Sequence, residues 1–136
     1  MSTSAQLSIE DRVSIMELLA RYARCLDSGD LDGYVNNFAP DGVLFGNHVG
    51  HGQIREYVGQ VIQRRSADPS RRMHFVGFPV IEGNAQHVTV HSYLLWLQLG
   101  AESPVSAAAE YVDECIKLNG RWVFKTRAIT RLAGRD

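Results

Sequence analysis

"MHFVGFPVIEGNAQHVTVHSYLLWLQL", residues 73–99, is where the hydrophobic period of the chain becomes two. In its second half Val88, Val90, Ser92, Leu94, Trp96 and Gln98 alternate with His87, Thr89, His91, Tyr93, Leu95 and Leu97. That is the pattern of a strand whose two faces meet different surroundings. The "EGN" between the halves supplies turn chemistry, so the stretch reads as two antiparallel strands, the first bent or at an edge because of Pro79. "VSAAAEYVDECIKL" and "RWVFKTRAITRL" repeat the alternation on either side of "NG", with Gly100 to Pro104 as the remaining connection. The mixed polar and aromatic face through Ser92, Trp96 and Gln98 suits a ligand pocket, and an ordinary half-buried sheet fits it equally well.

Upstream the period is helical. Ser8 followed by Asp11 resembles a capping box with Asp in place of Glu, which starts a helix near Ile9. Two adjoining apolar rows follow: Ile9, Val13, Met16, Ala20 and Ala23, then Ile15, Leu19, Tyr22 and Leu26. Together they predict one wide buried face. Four residues beyond Ala23 stands Asp27, a carboxylate that points where core residues point. Asp30 reads as the N-cap of a short second helix carrying Leu31, Tyr34, Val35 and Phe38, stopped by Pro40, after which "VLF" reads as a short strand. Ile54, Tyr57, Val58, Val61 and Ile62 define a third helix, ended by "SADPS". The expected fold is α+β, three N-terminal helices on a strongly curved antiparallel sheet, in a single domain over residues 1–136.

Composition narrows the function classes. The chain has 136 residues, 45% hydrophobic and 21% charged, with a formal net charge of -1, so it lacks the basic footprint that nucleic acid selects. Arg64-Arg65 and Arg71-Arg72 flank "SADPS" and read as a solvated loop. The first residues show no signal-peptide pattern and no stretch is apolar enough to span a bilayer, which predicts a cytoplasmic protein without a membrane partner. Cys25 and Cys115 fall in no metal or redox pattern and are expected to be reduced thiols without chemistry. His48 and His51 in "HVGH" read as an exposed glycine-rich loop without further ligands, so neither metal nor cofactor is expected. Nucleophile-elbow, phosphate-loop and zinc-protease motifs are absent from the sequence.

Two residues stand out against this background. Asp27 sits at a helix C-terminus, where negative charge opposes the macrodipole, so it needs another partner. His74 lies in the apolar "MHFVGF". A carboxylate that holds an imidazole makes it a better general base, and pairing Asp27 with His74 accounts for both positions.

The order of elements, "RYARCLDSGDLDGYVNNFAPDGVLFG", "MHFVGFPVIEGNAQHVTVHSY" and the closing "NGRWVFKTRAI" together resemble the SnoaL-like branch of the nuclear transport factor 2-like superfamily. The resemblance covers nearly the whole chain. It implies a cone-shaped α+β barrel around one apolar pocket, and relatives such as scytalone dehydratase, hexachlorocyclohexane dehydrochlorinase, ketosteroid isomerase, polyketide cyclases and dioxygenase small subunits. In the dehydratase and the dehydrochlorinase a helix carboxylate and a strand histidine form an acid/base dyad, and Asp27 and His74 match these positions. Leu26 replaces the tyrosine before the dehydratase's aspartate, and Gln98 falls near its second pocket histidine, which argues against that enzyme's substrate.

The reading that follows is a cofactor-independent lyase or isomerase for a small, mostly apolar molecule, cyclic ones included. His74 removes a proton from carbon and Asp27 fixes its tautomer. Tyr34 or Tyr57 supplies a hydroxyl, and Ser92, Trp96 and Gln98 contact the ligand. The rival is a non-catalytic binder or an oligomerising module like the dioxygenase small subunit. Either way the apolar residues left over on the strands predict a homo-oligomer, dimer or trimer.

Overall fold

The computed structural model describes residues 5–68 and 71–134. Along the chain run α1 (Ile9–Ser28), α2 (Leu31–Val35), β1 (Phe38–Leu44), β2 (His48–Val49), α3 (Gly50–Ser66), β3 (Arg71–Gly83), β4 (His87–Leu99), β5 (Val105–Leu118) and β6 (Arg121–Gly134). The strands form one sheet in the order β2-β1-β6-β5-β4-β3, which curves under the helices without closing. This is the expected cone-shaped α+β architecture. One pairing departs from an antiparallel sheet: β1 runs parallel to β6, with Phe38 opposite Phe124 and Leu44 opposite Arg127.

The four long strands fall where the period of two places them. Asn119 (φ 51°) and Gly120 (φ 77°) both take left-handed conformations, which the tight turn between β5 and β6 requires. β3 is one edge of the sheet, and its register against β4 slips between Gly77 and Val80, so Pro79 sits in a bulge beside the exposed Phe78.

On α1 the buried face is narrower than the sequence suggests. Ile15, Leu18, Leu19, Tyr22, Ala23 and Leu26 pack inward, whereas Ile9, Val13 and Met16 are exposed. Each large side chain taken fully out of water there stabilises the fold by about 1.5–3 kcal/mol. Asp27 therefore continues the row Ile15, Leu19, Ala23, one residue in four, rather than the row from Ile9. Ser8 caps the helix by accepting from the Asp11 N–H at 3.0 Å. Asp11 does not complete a capping box, because its carboxylate is buried against β5 and β6, accepting from Trp122 Nε1 at 2.9 Å and Lys117 Nζ at 3.0 Å. These partners hold its carboxyl down at about 2.

The second helix is shorter than expected. Asp30 caps it through the Gly33 N–H at 2.9 Å, but it ends at Val35. Beyond it the backbone joins the sheet: the Phe124 N–H donates to Asn37 O at 2.8 Å, so Phe38 belongs to β1 and Pro40 lies inside that strand. "HVGH" is not a loop either. His48 forms part of β2 and stacks on Tyr57 at 4.0 Å, while His51 lies in the first turn of α3 and its Nε2–H donates to Phe38 O at 2.8 Å.

Deep in the sheet, Arg127 of β6 meets Asp113 of β5 at 2.8 and 3.2 Å, both side chains fully buried. The guanidinium is packed against the rings of Tyr111 at 3.5 Å and Tyr22 at 4.2 Å. No helix among the described residues is long and apolar enough to cross a membrane.

Candidate active site

α1 stops at a left-handed Gly29 (φ 78°), where the Asp30 N–H donates back to Cys25 O at 2.8 Å. That stop leaves Asp27 in the last turn, facing β3. Its carboxylate grips His74 twice, Oδ2 accepting from the backbone N–H at 2.9 Å and Oδ1 from the ring Nδ1–H at 2.6 Å. The side chain of His74 is 3% exposed and that of Asp27 22%. The Nδ1–H tautomer is thereby fixed and Nε2 is left as an acceptor.

A guanidinium faces that acceptor. Arg65, in the last turn of α3, places Nη2 3.4 Å from His74 Nε2 and Nη1 3.6 Å from Asp27 Oδ1. Burial above all, and then the positive charge of Arg65, hold the His74 pKa below the ordinary 6.5, although Asp27 pulls the other way. The imidazole is therefore neutral at physiological pH.

His74 opens on a cavity of about 500 Å³ between α3 and the inner face of the sheet. Trp96, opposite His74 in the β3–β4 register, presents its ring 6.0 Å from the imidazole. Leu26, Phe45, Val58, Val61 and Ile129 supply apolar wall. Tyr34 and Tyr57 also line it: Tyr34 is buried and donates to Tyr22 Oη at 2.6 Å, and Tyr57 lies between His48 and Phe45.

Ser92 and Gln98 do not line the cavity. Ser92 does face inward, but it sits between the fully buried Val90 and Leu94, where the cone is filled, and the cavity opens only at Trp96. Gln98 keeps the Trp96 face, opposite Arg72 in an unbroken β3–β4 register, but it stands one residue from the end of β4, beyond the cavity wall.

The arginines correct the sequence reading most. Arg64, Arg65 and Arg72 line the cavity together with Arg131, rather than forming a solvated loop. Arg65 continues the inward row Ile54, Val58 and Val61 of α3 just as Asp27 continues that of α1. Cys25 and Cys115 are buried free thiols. Among the described residues no three His, Cys, Asp or Glu side chains are grouped to hold a metal.

Comparison with known proteins agrees with this architecture. A family model described as a SnoaL-like domain matches residues 7–128. No curated protein matches the chain by sequence. Among solved structures, a protein of unknown function with a cystatin-like fold from Nostoc punctiforme is 28% identical with a TM-score of 0.81, covering 93% of this chain and 95% of its own. A nuclear transport factor 2-like protein from Novosphingobium aromaticivorans (22% identity, TM-score 0.79, 93% and 85% covered) and ActVI-ORFA from Streptomyces coelicolor (16%, 0.78, 91% and 96%) share the fold alone.

Proposed function

The chain belongs to the SnoaL-like domain family, which includes polyketide cyclases, isomerases and dehydratases, and we propose that within it this protein is a cofactor-independent lyase or isomerase. Its ligand is a small, mostly apolar molecule, cyclic ones included, seated against Trp96 and Ile129. His74 Nε2 takes a proton from a carbon next to an electron-withdrawing group, and Asp27 stabilises the imidazolium that forms. Tyr57, which lines the same cavity, supplies the hydroxyl for a developing oxyanion or a leaving group, because the Tyr34 hydroxyl already donates to Tyr22.

The observation that carries this reading is the double hydrogen bond from Asp27 to His74. A carboxylate that served only to satisfy a core histidine has no need to clamp both its backbone and its ring while the histidine lines a cavity. The test is a thermal-shift screen of small cyclic ketones, alcohols and acids, followed by solvent-deuterium exchange on the hits. Binding accompanied by exchange at carbon supports a lyase or isomerase, and binding without exchange supports the non-catalytic reading.

That second reading, a binding or oligomerising module, has one observation in its favour: the outer face of the sheet exposes Phe75, Tyr93 and Val105. Self-association through this face is compatible with catalysis on the other, so we propose a homo-oligomer under both readings.

A further inference from the structure

The cavity holds more positive charge than an uncharged ligand explains. Four of its lining residues are arginines, Arg64, Arg65, Arg72 and Arg131, and Asp68 is the one acidic residue among them. Arg65 pairs with Asp27 and Arg72 with Asp68, Arg131 lies over the Trp96 ring, and guanidinium groups outnumber carboxylates among the described lining residues. The cost of this is not removed by solvent, because the Arg65 and Arg72 side chains are only 23% and 32% exposed. Favourable interaction with the carbonyl end of α3 explains why Arg64 and Arg65 suit the last turn of a helix, but not why both line the cavity.

The hydrogen-bond inventory points the same way. Arg72 gives one Nη2–H to Asp68 at 3.1 Å, yet its Nε is buried with no acceptor among the described residues. Arg65 spends Nη2 on His74 Nε2 at 3.4 Å, a long contact to a neutral acceptor. Planar guanidinium donors with weak or absent acceptors are matched by a planar or tetrahedral oxyanion. The remaining wall, Leu26, Phe45, Val58, Val61, Trp96 and Ile129, is apolar. An amphiphilic ligand fits both halves.

We propose that the cavity binds an organic oxyanion, a ring-sized apolar body with a carboxylate or phosphate-ester head held by Arg65 and Arg72. Arrival of the head draws Arg65 from His74 Nε2 and exposes the base, a coupling that rests on the role given to His74 above. The anion site itself stands without it.

Calorimetric titration of the full chain with matched acids and amides tests this: benzoate against benzamide, cinnamate against cinnamamide, with phenyl phosphate as the ester arm. Each acid is expected to bind at least about tenfold more tightly than its amide, and Arg65→Gln to lower that ratio several-fold. Arg65→Lys, which keeps the charge, should retain part of the preference and covers the case in which Arg65→Gln does not fold. A stronger response to phenyl phosphate than to benzoate assigns the head to a phosphate ester, the reverse to a carboxylate. Amides that bind as well as acids, a preference unmoved in both Arg65 variants, or no binding by any of the anions at millimolar concentration overturns the proposal. Exchange is read separately, on the ketone hits of the screen above: acid preference with no exchange on any of them leaves the anion site standing and removes the role of His74 as base, whereas exchange without acid preference does the opposite.

Discussion

Arg65 Nη2 lies 3.4 Å from His74 Nε2, so the ring nitrogen that Asp27 leaves unbonded meets a guanidinium N–H from the third helix. A neutral imidazole accepts that contact and an imidazolium would repel it. The arrangement makes the base sensitive to its own cover.

The first prediction is a pH dependence. The folded His74 pKa lies below 6.5, so the neutral form is favoured by folding. Its contribution to stability is present above pH 6.5 and is lost as the pH falls below that value, and any rate that needs the base falls over the same acid range. Arg65→Gln removes one of the causes that lower the pKa and should move the acid limb to higher pH. An NMR titration of the His74 ring, wild type against variant, checks the sign; a limb that moves down or stays fixed contradicts it.

Asp27→Asn should keep the fold and lose the chemistry. The amide can still accept from the His74 backbone N–H, but it no longer imposes the Nδ1–H tautomer or balances Arg65. We expect a stability loss of about 1–3 kcal/mol by chemical denaturation, and a rate on any turned-over ligand reduced by roughly 10²–10⁴ with binding largely retained.

Arg127 and Asp113 form a fully buried, doubly bonded pair, and removing one partner strands the other's charge among aromatic rings. Arg127→Met should cost about 3–5 kcal/mol in a urea melt, whereas replacing both residues by apolar ones of similar size should cost less than the single change. A single variant of near wild-type stability would show that the pair is solvated or dispensable.

The outer sheet face gives a prediction on assembly. Phe75 and Leu95 are register partners on that face, with Tyr93 exposed beside them. Light scattering should find a dimer or trimer at micromolar concentration, and Tyr93→Glu with Leu95→Glu should yield a folded monomer. A monomeric wild type contradicts the proposal.

Much of this was legible where local pattern and tertiary role coincide. The long strands alternate because one face is buried, and Asp27 and His74 are each out of character for their surroundings. Legibility failed where a partner distant in sequence decides. Ile9, Val13 and Met16 share the helical spacing of core residues but meet no sheet. Pro40 reads as a helix stop, yet β6 takes up the backbone at Asn37 first. Gln98 has the right face but lies past the point where the cavity ends, a limit that no count along one strand reveals. The arginine cluster was hidden for another reason: residues 64–65 and 72 are charged neighbours of a turn, and only the end of the α3 row marks Arg65 as inward.

The most direct test of the account is solvent-deuterium exchange into a bound ligand, followed by NMR, with wild type and His74→Gln side by side. Deuterium is expected at a single carbon with wild type, at a rate lower by about 10²–10⁴ with His74→Gln, ligand affinity being retained. Equal exchange by both proteins, or a ligand that binds beside His74 and never exchanges, would contradict it.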